Sequence, residues 1–378
     1  MHDRTALGPA DVTDAELATK VAALWEVPRV DLLSSTTLPV AYDVPSITTA
    51  ARTWVTGLAD AGAGPREFRL FVKQVQEWRR SPLFTYVPPE LREWAAGTVP
   101  WQCEALAYGS ELRTVLPDGL SMPRCVGVHE LDEGSRSIWL EALDPVSGPW
   151  SDDDYARAAR LLGRLSGSPA VAGLAEIDPL PWHIDAVVRG RLAHGVVPHL
   201  LGDDLWGHPV IAETFDAPLR TRLRSVAARV EEIAAEFAAL PHAASHGDAC
   251  PGNLLRVEDR EGFALIDFQF WRPQPLGHDL GQLLVGDLQL GLGQVDDVAA
   301  LDDLILRAYT DGLADEGLEC DPDVVRRGHA VSMVLFGALP MVPLEMLDAP
   351  PDERLHAVCA ARATLASYSL DLLDATAP

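Results

Sequence analysis

A short polar segment, SHGDACPGNLL, places Asp248 and Asn253 five residues apart beside glycines and a proline. The apolar run that follows, ALIDFQFW, contains Asp267. A carboxylate in apolar surroundings is costly unless it is hydrogen-bonded or bound to a cation. Oxygen ligands of this kind suit Mg²⁺, and a further carboxylate can orient an attacking hydroxyl. The set favours phosphoryl transfer from a nucleotide, because turn formation alone would not account for all three residues together.

Lysine is rare in this sequence. Only Lys20 and Lys73 occur among thirty basic residues, so arginine serves wherever any cation would do. Lys20 falls on a predicted N-terminal helix, where chance explains it. Lys73 lies in EFRLFVKQV, whose apolar residues alternate as in a strand. A compact ammonium on a slender stem is not interchangeable with a guanidinium, and we therefore predict a functional Lys73.

Composition narrows the class of protein. The 378 residues are 48% hydrophobic, enough for a large core, and the formal net charge is −26. Such a charge argues against nucleic acid or an anionic membrane as partner, since both need a basic face. Five scattered cysteines without a CxxC pair indicate neither a disulfide framework nor a zinc cluster. The apolar stretch VSMVLFGALPMVPLEML is broken by prolines and predicts a buried helix. We expect a cytoplasmic protein, monomeric or homodimeric.

The pattern of elements changes near residue 143. Before it, strands dominate: the pattern predicts a hairpin from 38–46 and 50–59, followed by the Lys73 strand. Helices are predicted over 13–27, at the start, and over 99–116, inside this region. Two further strands are predicted at 123–131 and 136–143. We therefore expect an α+β fold of two lobes, with residues 1–143 forming the β-rich lobe and 144–378 the helical lobe.

Helices dominate the second lobe. Residues 151–167 predict a helix with Ser151 as N-cap and Asp154 three residues on. Residues 217–240 predict one long amphipathic helix, and 296–316, 323–347 and 352–374 predict three more. The polar loop and a short strand pair lie between these helices.

Several segments resemble the aminoglycoside phosphotransferase and choline kinase-like family, relatives of the protein kinases. They are HGDACPGN, LIDFQ and GHDLGQLL, supported by FVK, QCEALAY and LLGRLSG. The resemblance spans roughly residues 38–285. It implies a bilobal protein-kinase-like fold, with a small nucleotide-binding lobe and a large, mainly helical lobe that carries the catalytic loop.

The resemblance implies a role for each matching residue. Asp248 would be the catalytic base or hydroxyl orienter, and Asn253 and Asp267 would hold Mg²⁺. Lys73 would bind the nucleotide phosphates and pair with Glu104. Glu111, one heptad further on the same predicted helix face, competes with Glu104.

Other positions follow from the same resemblance. LEALD (140–144) would be the hinge, whose backbone at Glu141 and Leu143 meets the base of ATP, or of GTP. His246 and Asp279 would shape the loop. The stretch DVPSITTAAR (43–52) lacks the glycines of a kinase phosphate loop, and Asp-Phe-Gln replaces Asp-Phe-Gly. Phosphates would then be held there by Ser46, Thr48 or Thr49. RLSG stands where a histidine is usual, with no consequence that the sequence reveals.

The predicted function is a Mg²⁺-dependent kinase that phosphorylates a hydroxyl of a small molecule. A cationic acceptor is expected, an amino sugar or aminoglycoside. The negative charge would concentrate cations, and acids lie on predicted loops at Asp203, Asp204, Glu213 and Asp216. The alternatives are a neutral sugar, macrolide, choline or amino acid kinase, and a nucleotide-binding pseudokinase-like module. A metallophosphoesterase is disfavoured because its second His and earlier Asp-x-His are lacking.

Overall fold

A computed structural model describes residues 2–41, 46–180, 184–286, 288–290, 298–348 and 350–377. Strands dominate the N-terminal part of the chain and helices the C-terminal part, as predicted. The strands are β1 His2–Asp3, β2 Asp31–Pro39, β3 Thr49–Asp60, β4 Pro65–Gln76, β5 Leu120–Ser121, β6 Cys125–Asp132, β7 Ser135–Glu141, β8 His242–Ser245, β9 Leu254–Leu255, β10 Phe263–Leu265 and β11 Arg272–Pro275.

The helices alternate with short irregular connections. They are α1 Asp14–Trp25, α2 Arg92–Ala96, α3 Cys103–Gly109, α4 Leu112–Val115, α5 Asp152–Gly167, α6 Pro169–Ala172, α7 Ile184–Ala186, α8 Ala193–Gly195, α9 Val197–Leu201, α10 Pro209–Thr214, α11 Ala217–Ala227, α12 Val230–Ala239, α13 His278–Val285, α14 Val298–Asp315, α15 Pro322–Ser332 and α16 Glu353–Ala375. Two π-helical segments, Val187–Leu192 and Met333–Ala338, lie among them.

A six-stranded sheet in the order β1-β2-β3-β4-β7-β6 forms the N-terminal lobe. Its strands are antiparallel except for the β1–β2 pair. Helix α1 begins with a capping box at Thr13 and packs Leu17 into one small core with Val55 and Val72 of the sheet. Because successive side chains of a strand point to opposite faces, the neighbours of Val55 and Val72 face the other way, toward the helical lobe.

Lys20, which was attributed to chance, is buried on α1. It is only 5% exposed, and its ammonium lies 5.0 Å from the ring centroid of Trp139 and against His129. A cation over an indole face is stabilised by the ring quadrupole. Both lysines of the chain are therefore buried.

The predicted boundaries need correction in the first lobe. The strand expected over 38–46 is β2, which lies earlier and ends at Pro39, a residue without a backbone donor; residues 42–45 lie outside the described residues. The single helix expected over 99–116 is divided into two short helices, α3 and α4, and a further short helix, α2, precedes them. The boundary at residue 143 stays a prediction; β7 ends at Glu141 and α5 begins at Asp152.

In the second lobe the capping box of Ser151 and Asp154 starts α5 as predicted. The helix expected over 217–240 is wrong as a single element, because the chain leaves helical geometry at Arg229 and restarts as α12. Helices α5 and α14 approach closely at glycines: a Cβ on Gly163 would lie 2.1 Å from the carbonyl oxygen of Tyr309.

The stretch Pro322–Met346 is long and apolar enough to cross a membrane by length and composition. In the fold, however, 72% of its most apolar window is buried against other elements. This burial agrees with the prediction of a core helix, and such a helix is weak evidence for a membrane span.

Candidate active site

The polar loop is held in shape by Asp279 at the start of α13. Its two carboxylate oxygens accept hydrogen bonds from the backbone N–H groups of His246 and Gly247, both at 2.8 Å. The Nε2 of His246 donates to the carbonyl of Ile266 at 2.9 Å, which ties the loop to the β9–β10 hairpin. Gly247 has φ +81°, and a Cβ there would lie 2.3 Å from the carbonyl oxygen of Phe270. The predicted shaping roles of His246 and Asp279 agree with these contacts.

Strand β8, which leads into this loop, is held in place by a hydrogen bond from α5. Ser166 of α5 donates to the carbonyl of Ala244 at 2.7 Å and accepts from the hydroxyl of Tyr309 at 2.9 Å. The sequence did not reveal what the serine of RLSG does. In the structure, this serine, Ser166, links β8 to α5 and to Tyr309.

Asn253 is oriented by Asp248. Its side-chain amide donates to the backbone carbonyl of Asp248 at 2.9 Å and to the Asp248 carboxylate at 3.0 Å. Both amide hydrogens are used in this way, so the side-chain oxygen of Asn253 remains an acceptor. The backbone N–H of Ile266 donates to the carbonyl of Asn253 at 3.1 Å. The hairpin therefore brings Asp267 back beside the loop, as predicted.

Lys73 joins the two lobes. Its Nζ lies 2.5 Å from Glu104 of α3 and donates to Asp267 at 3.0 Å. Lys73 and Glu104 are 4% and 3% exposed, so their charges compensate each other away from water. Asp267 adopts the left-handed backbone region, with φ 64° and ψ 63°, which is uncommon outside glycine and marks a special position.

Glu111 is exposed and lies at the N-cap of α4, not on the helix of Glu104. The helix ends first, at Gly109. Of these two glutamates, the structure therefore places Glu104 against Lys73.

Burial is the main influence on the acids of the site. It raises the pKa of Asp248 to about 6, and the charge of Asp267 adds to the effect. Burial also raises the pKa of Glu104 to about 7, although Lys73 acts in the opposite direction. For Asp267, burial is outweighed by Lys73 and, to a smaller extent, Arg52, so its pKa is lowered. Asp248 and Asp267 are thus mainly ionised at neutral pH, as a hydroxyl orienter and a metal ligand must be.

The residues present fit a Mg²⁺ ion bound with a nucleotide. Within the described ranges, neither the Asn253 side-chain oxygen nor the second carboxylate oxygen of Asp267 receives a hydrogen bond. The described residues contain no group of three or more His, Cys, Asp or Glu side chains that could hold a metal alone. Mg²⁺ commonly takes one or two protein oxygens and completes its shell with phosphates and water, which is what this arrangement would require.

The other predicted nucleotide contacts are differently placed. Ser46 accepts a hydrogen bond from the backbone N–H of Thr49 at 3.1 Å. Thr48 is only 2% exposed, and its carbonyl accepts from Gln76. Thr49 begins β3 opposite Val75. Of the three hydroxyls, that of Thr48 is thus withdrawn into the fold, and roles for the others stay predictions.

At the predicted hinge, the N–H of Glu141 donates to the carbonyl of Arg124 at 2.9 Å. Its carboxylate accepts from the backbone N–H of Arg124 and forms an ion pair with Arg260 of the β9–β10 turn. Leu143 follows the end of β7 and is half-buried. The Glu141 amide is therefore already paired, and a hinge role for the backbone at Leu143 stays a prediction.

Sequence reasoning missed the aromatic and cationic neighbours of Lys73. Trp54 and Phe71, opposite each other on β3 and β4, form an edge-to-face pair with centroids 5.0 Å apart. Arg52 lies opposite Lys73 in the same register. The alternation of residues on the strands predicts which side chains share the face of Lys73. It identifies these neighbours only when the register of the β3–β4 hairpin is known.

The lobes and the site together define a kinase-like phosphotransferase. Residues 72–318 match the model of the Phosphotransferase enzyme family, and the chain belongs to this family. None of the curated proteins compared with the chain matches it in sequence.

Two solved structures share the fold over nearly the whole chain. The amicoumacin kinase hAmiN, solved with AMP-PNP, Ca²⁺ and Ami, is 13% identical with a TM-score of 0.51 over 94% of each chain. The aminoglycoside phosphotransferase from Alicyclobacillus acidocaldarius subsp. acidocaldarius DSM 446 is 13% identical with a TM-score of 0.52 over 98% of each chain. At this identity the likeness concerns the fold.

Proposed function

We propose that this phosphotransferase transfers the γ-phosphate of ATP, or of GTP, to a hydroxyl of a small molecule in a Mg²⁺-dependent reaction. The observation that carries the proposal is the convergence of Lys73, paired with Glu104 and Asp267, on the loop where Asp248 orients Asn253. A structural role would not require three acids and a lysine to meet between two lobes, because each buried charge costs free energy.

The reaction can be written through these residues. The acceptor oxygen attacks the γ-phosphorus while the bond from that phosphorus to the bridging oxygen of the β-phosphate breaks. The nucleoside diphosphate leaves with the bonding electrons, and the hydroxyl proton passes to the Asp248 carboxylate. In such a loose transition state, positioning and electrostatics supply most of the catalysis. The raised pKa of Asp248, about 6, brings it closer to that of an effective base.

The cations of the site would act on the phosphates. Lys73 would hold phosphate oxygens while Glu104 fixes its ammonium. A Mg²⁺ ion held by Asn253 and Asp267 would neutralise charge on the same phosphates. Asp248 would remain free to face the acceptor.

For the acceptor we propose an amino sugar or an aminoglycoside. The net charge of −26 supports a cation, and the two solved neighbours named above are an amicoumacin kinase and an aminoglycoside phosphotransferase. The four predicted acids give little support. Asp203 pairs with Arg224 at 3.0 Å, Glu213 lies 3.7 Å from His356, and Asp216 caps α11. Asp204 is exposed.

An acceptor screen tests the proposal. The purified protein is given ATP or GTP, with and without Mg²⁺, and nucleoside diphosphate release is measured with amino sugars, aminoglycosides, neutral sugars, choline, macrolides and amino acids. Turnover that prefers cationic acceptors and weakens with salt supports the proposal. A preferred neutral acceptor overturns the acceptor class alone, whereas nucleotide binding without turnover on any acceptor indicates the pseudokinase-like alternative.

A further inference from the structure

Arg52 faces the nucleotide cleft. It is directly opposite Lys73 in the antiparallel pairing of β3 with β4, and directly opposed residues of such a pair project from the same face of the sheet. Their neighbours Thr53 and Val72 are 1% and 0% exposed on the opposite face, which α1 covers. Arg52 therefore projects with Lys73 toward Glu104 and Asp267.

The charges there leave room for a second cation. Glu104, Asp248 and Asp267 contribute three carboxylates, and Lys73 contributes one ammonium. A Mg²⁺ ion bound with the nucleotide would at most balance these protein charges, so a further cation would be needed for the site to attract a polyphosphate in a chain whose charge is −26. The guanidinium of Arg52 lies within electrostatic range of Glu104 and Asp267, the two acids that Lys73 contacts.

The segment that leads into β3 and forms its first residues shows why a cation would be needed at this position. Protein kinases cover the phosphates there with backbone amides of a glycine-rich loop, but DVPSITTAAR contains no glycine and ends at Arg52. The Thr49 amide is already bonded to Ser46, and Thr48 is buried. Within the described part of this segment, the Thr49 amide and the Thr48 side chain are thus not available to a phosphate.

We propose that Arg52 is a second phosphate-binding residue, which contacts the β-phosphate of the bound nucleotide beside Lys73. This inference rests on the proposed kinase function and deepens it. A guanidinium presents parallel N–H groups that match two phosphate oxygens, whereas the ammonium of Lys73 acts as a point charge. Arg52 would thereby supply at the cleft the contacts that loop amides supply in other kinases.

Calorimetric titration of the full chain with ADP, AMP and adenosine, in the presence of Mg²⁺, tests the proposal. Arg52→Met and Arg52→Gln should weaken ADP binding by about 10- to 100-fold, the loss of a hydrogen-bonded charge contact, and leave adenosine binding nearly unchanged. Arg52→Lys should restore part of the ADP affinity. Arg66→Met is the matched control, because Arg66 is an exposed residue of β4 that stacks 4.8 Å from the ring centroid of Trp25.

Three results would separate the possible failures. Unchanged ADP affinity in both Arg52→Met and Arg52→Gln overturns the role of Arg52 and leaves the kinase assignment in place. Equal weakening of ADP and adenosine, together with a lower melting temperature, means that Arg52 only balances the charges of Glu104 and Asp267, and it also overturns the proposal. A wild-type protein that binds no nucleotide would overturn the proposed function, and this inference with it.

Discussion

Lys73 donates a hydrogen bond to Asp267 at 3.0 Å although 194 positions separate them in the chain. The same ammonium contacts Glu104, so one side chain links the sheet, helix α3 and the β9–β10 hairpin. The phosphates of a bound nucleotide would also contact the Lys73 ammonium, which would then interact with both the phosphates and Asp267. A Mg²⁺ ion on Asp267 would compensate that carboxylate, which couples metal binding to nucleotide binding in the proposed reaction.

Replacing Asp248 by Asn tests the acceptor side of the site. The side chain keeps its size, and the Asn253 amide can still donate to the backbone carbonyl of residue 248. We expect turnover to fall about 100-fold or more because the proton acceptor is lost, while ADP affinity stays near wild type. Steady-state rates and calorimetry measure the two effects. Asp259→Asn, in the exposed β9–β10 turn, is the control. Turnover close to that of wild type would refute the role of Asp248.

Replacing Asp267 by Ala tests the metal. In the proposed site its carboxylate would be the charged oxygen ligand beside Asn253, so the gain in nucleotide affinity on adding Mg²⁺ should disappear. Titrations of ADP with Mg²⁺ and with a chelator measure this gain directly. The Asp248→Asn variant serves as a comparison and should keep it. If Asp267→Ala still binds ADP more tightly with Mg²⁺, another residue is the principal ligand.

Replacing Lys73 by Arg separates charge from shape. Lys73 is 4% exposed and its ammonium lies between two carboxylates, so a wider, planar guanidinium does not fit without displacing Glu104 or Asp267. Activity and nucleotide affinity should both fall strongly. Lys20→Arg is the matched control, because Lys20 is also buried but lies against Trp139; it should alter stability without altering nucleotide affinity. A fully active Lys73→Arg enzyme would show that any cation serves.

His278 should make the protein less stable in acid. Burial lowers the pKa of its imidazole to about 4 in the folded protein, whereas in the unfolded chain it protonates below about 6.5. Between these values only the unfolded state binds the proton, so stability present above pH 6.5 is lost as the pH falls toward 4. Between about pH 7.5 and about pH 5, the free energy of unfolding of the wild type should fall by about 2 kcal/mol more than that of His278→Gln. Urea unfolding at both pH values provides the measurement, and equal losses in the two proteins would contradict the assignment.

Local signals carried much of the candidate site. The loop from His246 to Asn253 combines turn residues with polar side chains that a core would exclude. Asp267 follows a short apolar strand, and α5 begins at the capping box that Ser151 and Asp154 predict. These features depend on residues close together in the chain, and the resemblance to the family was read from the same segments.

The tertiary structure decided the rest, because contacts between distant residues leave little trace in local sequence. The resemblance favoured Glu104 over Glu111, but the physical reason, the end of α3 at Gly109, came from the structure. Only the β3–β4 register placed Arg52 opposite Lys73. The break of the 217–240 helix, the burial of Lys20 and the partners of the surface acids depend on packing as well. Propensity sets what a segment favours, and the burial and pairing of remote side chains decide what it contacts.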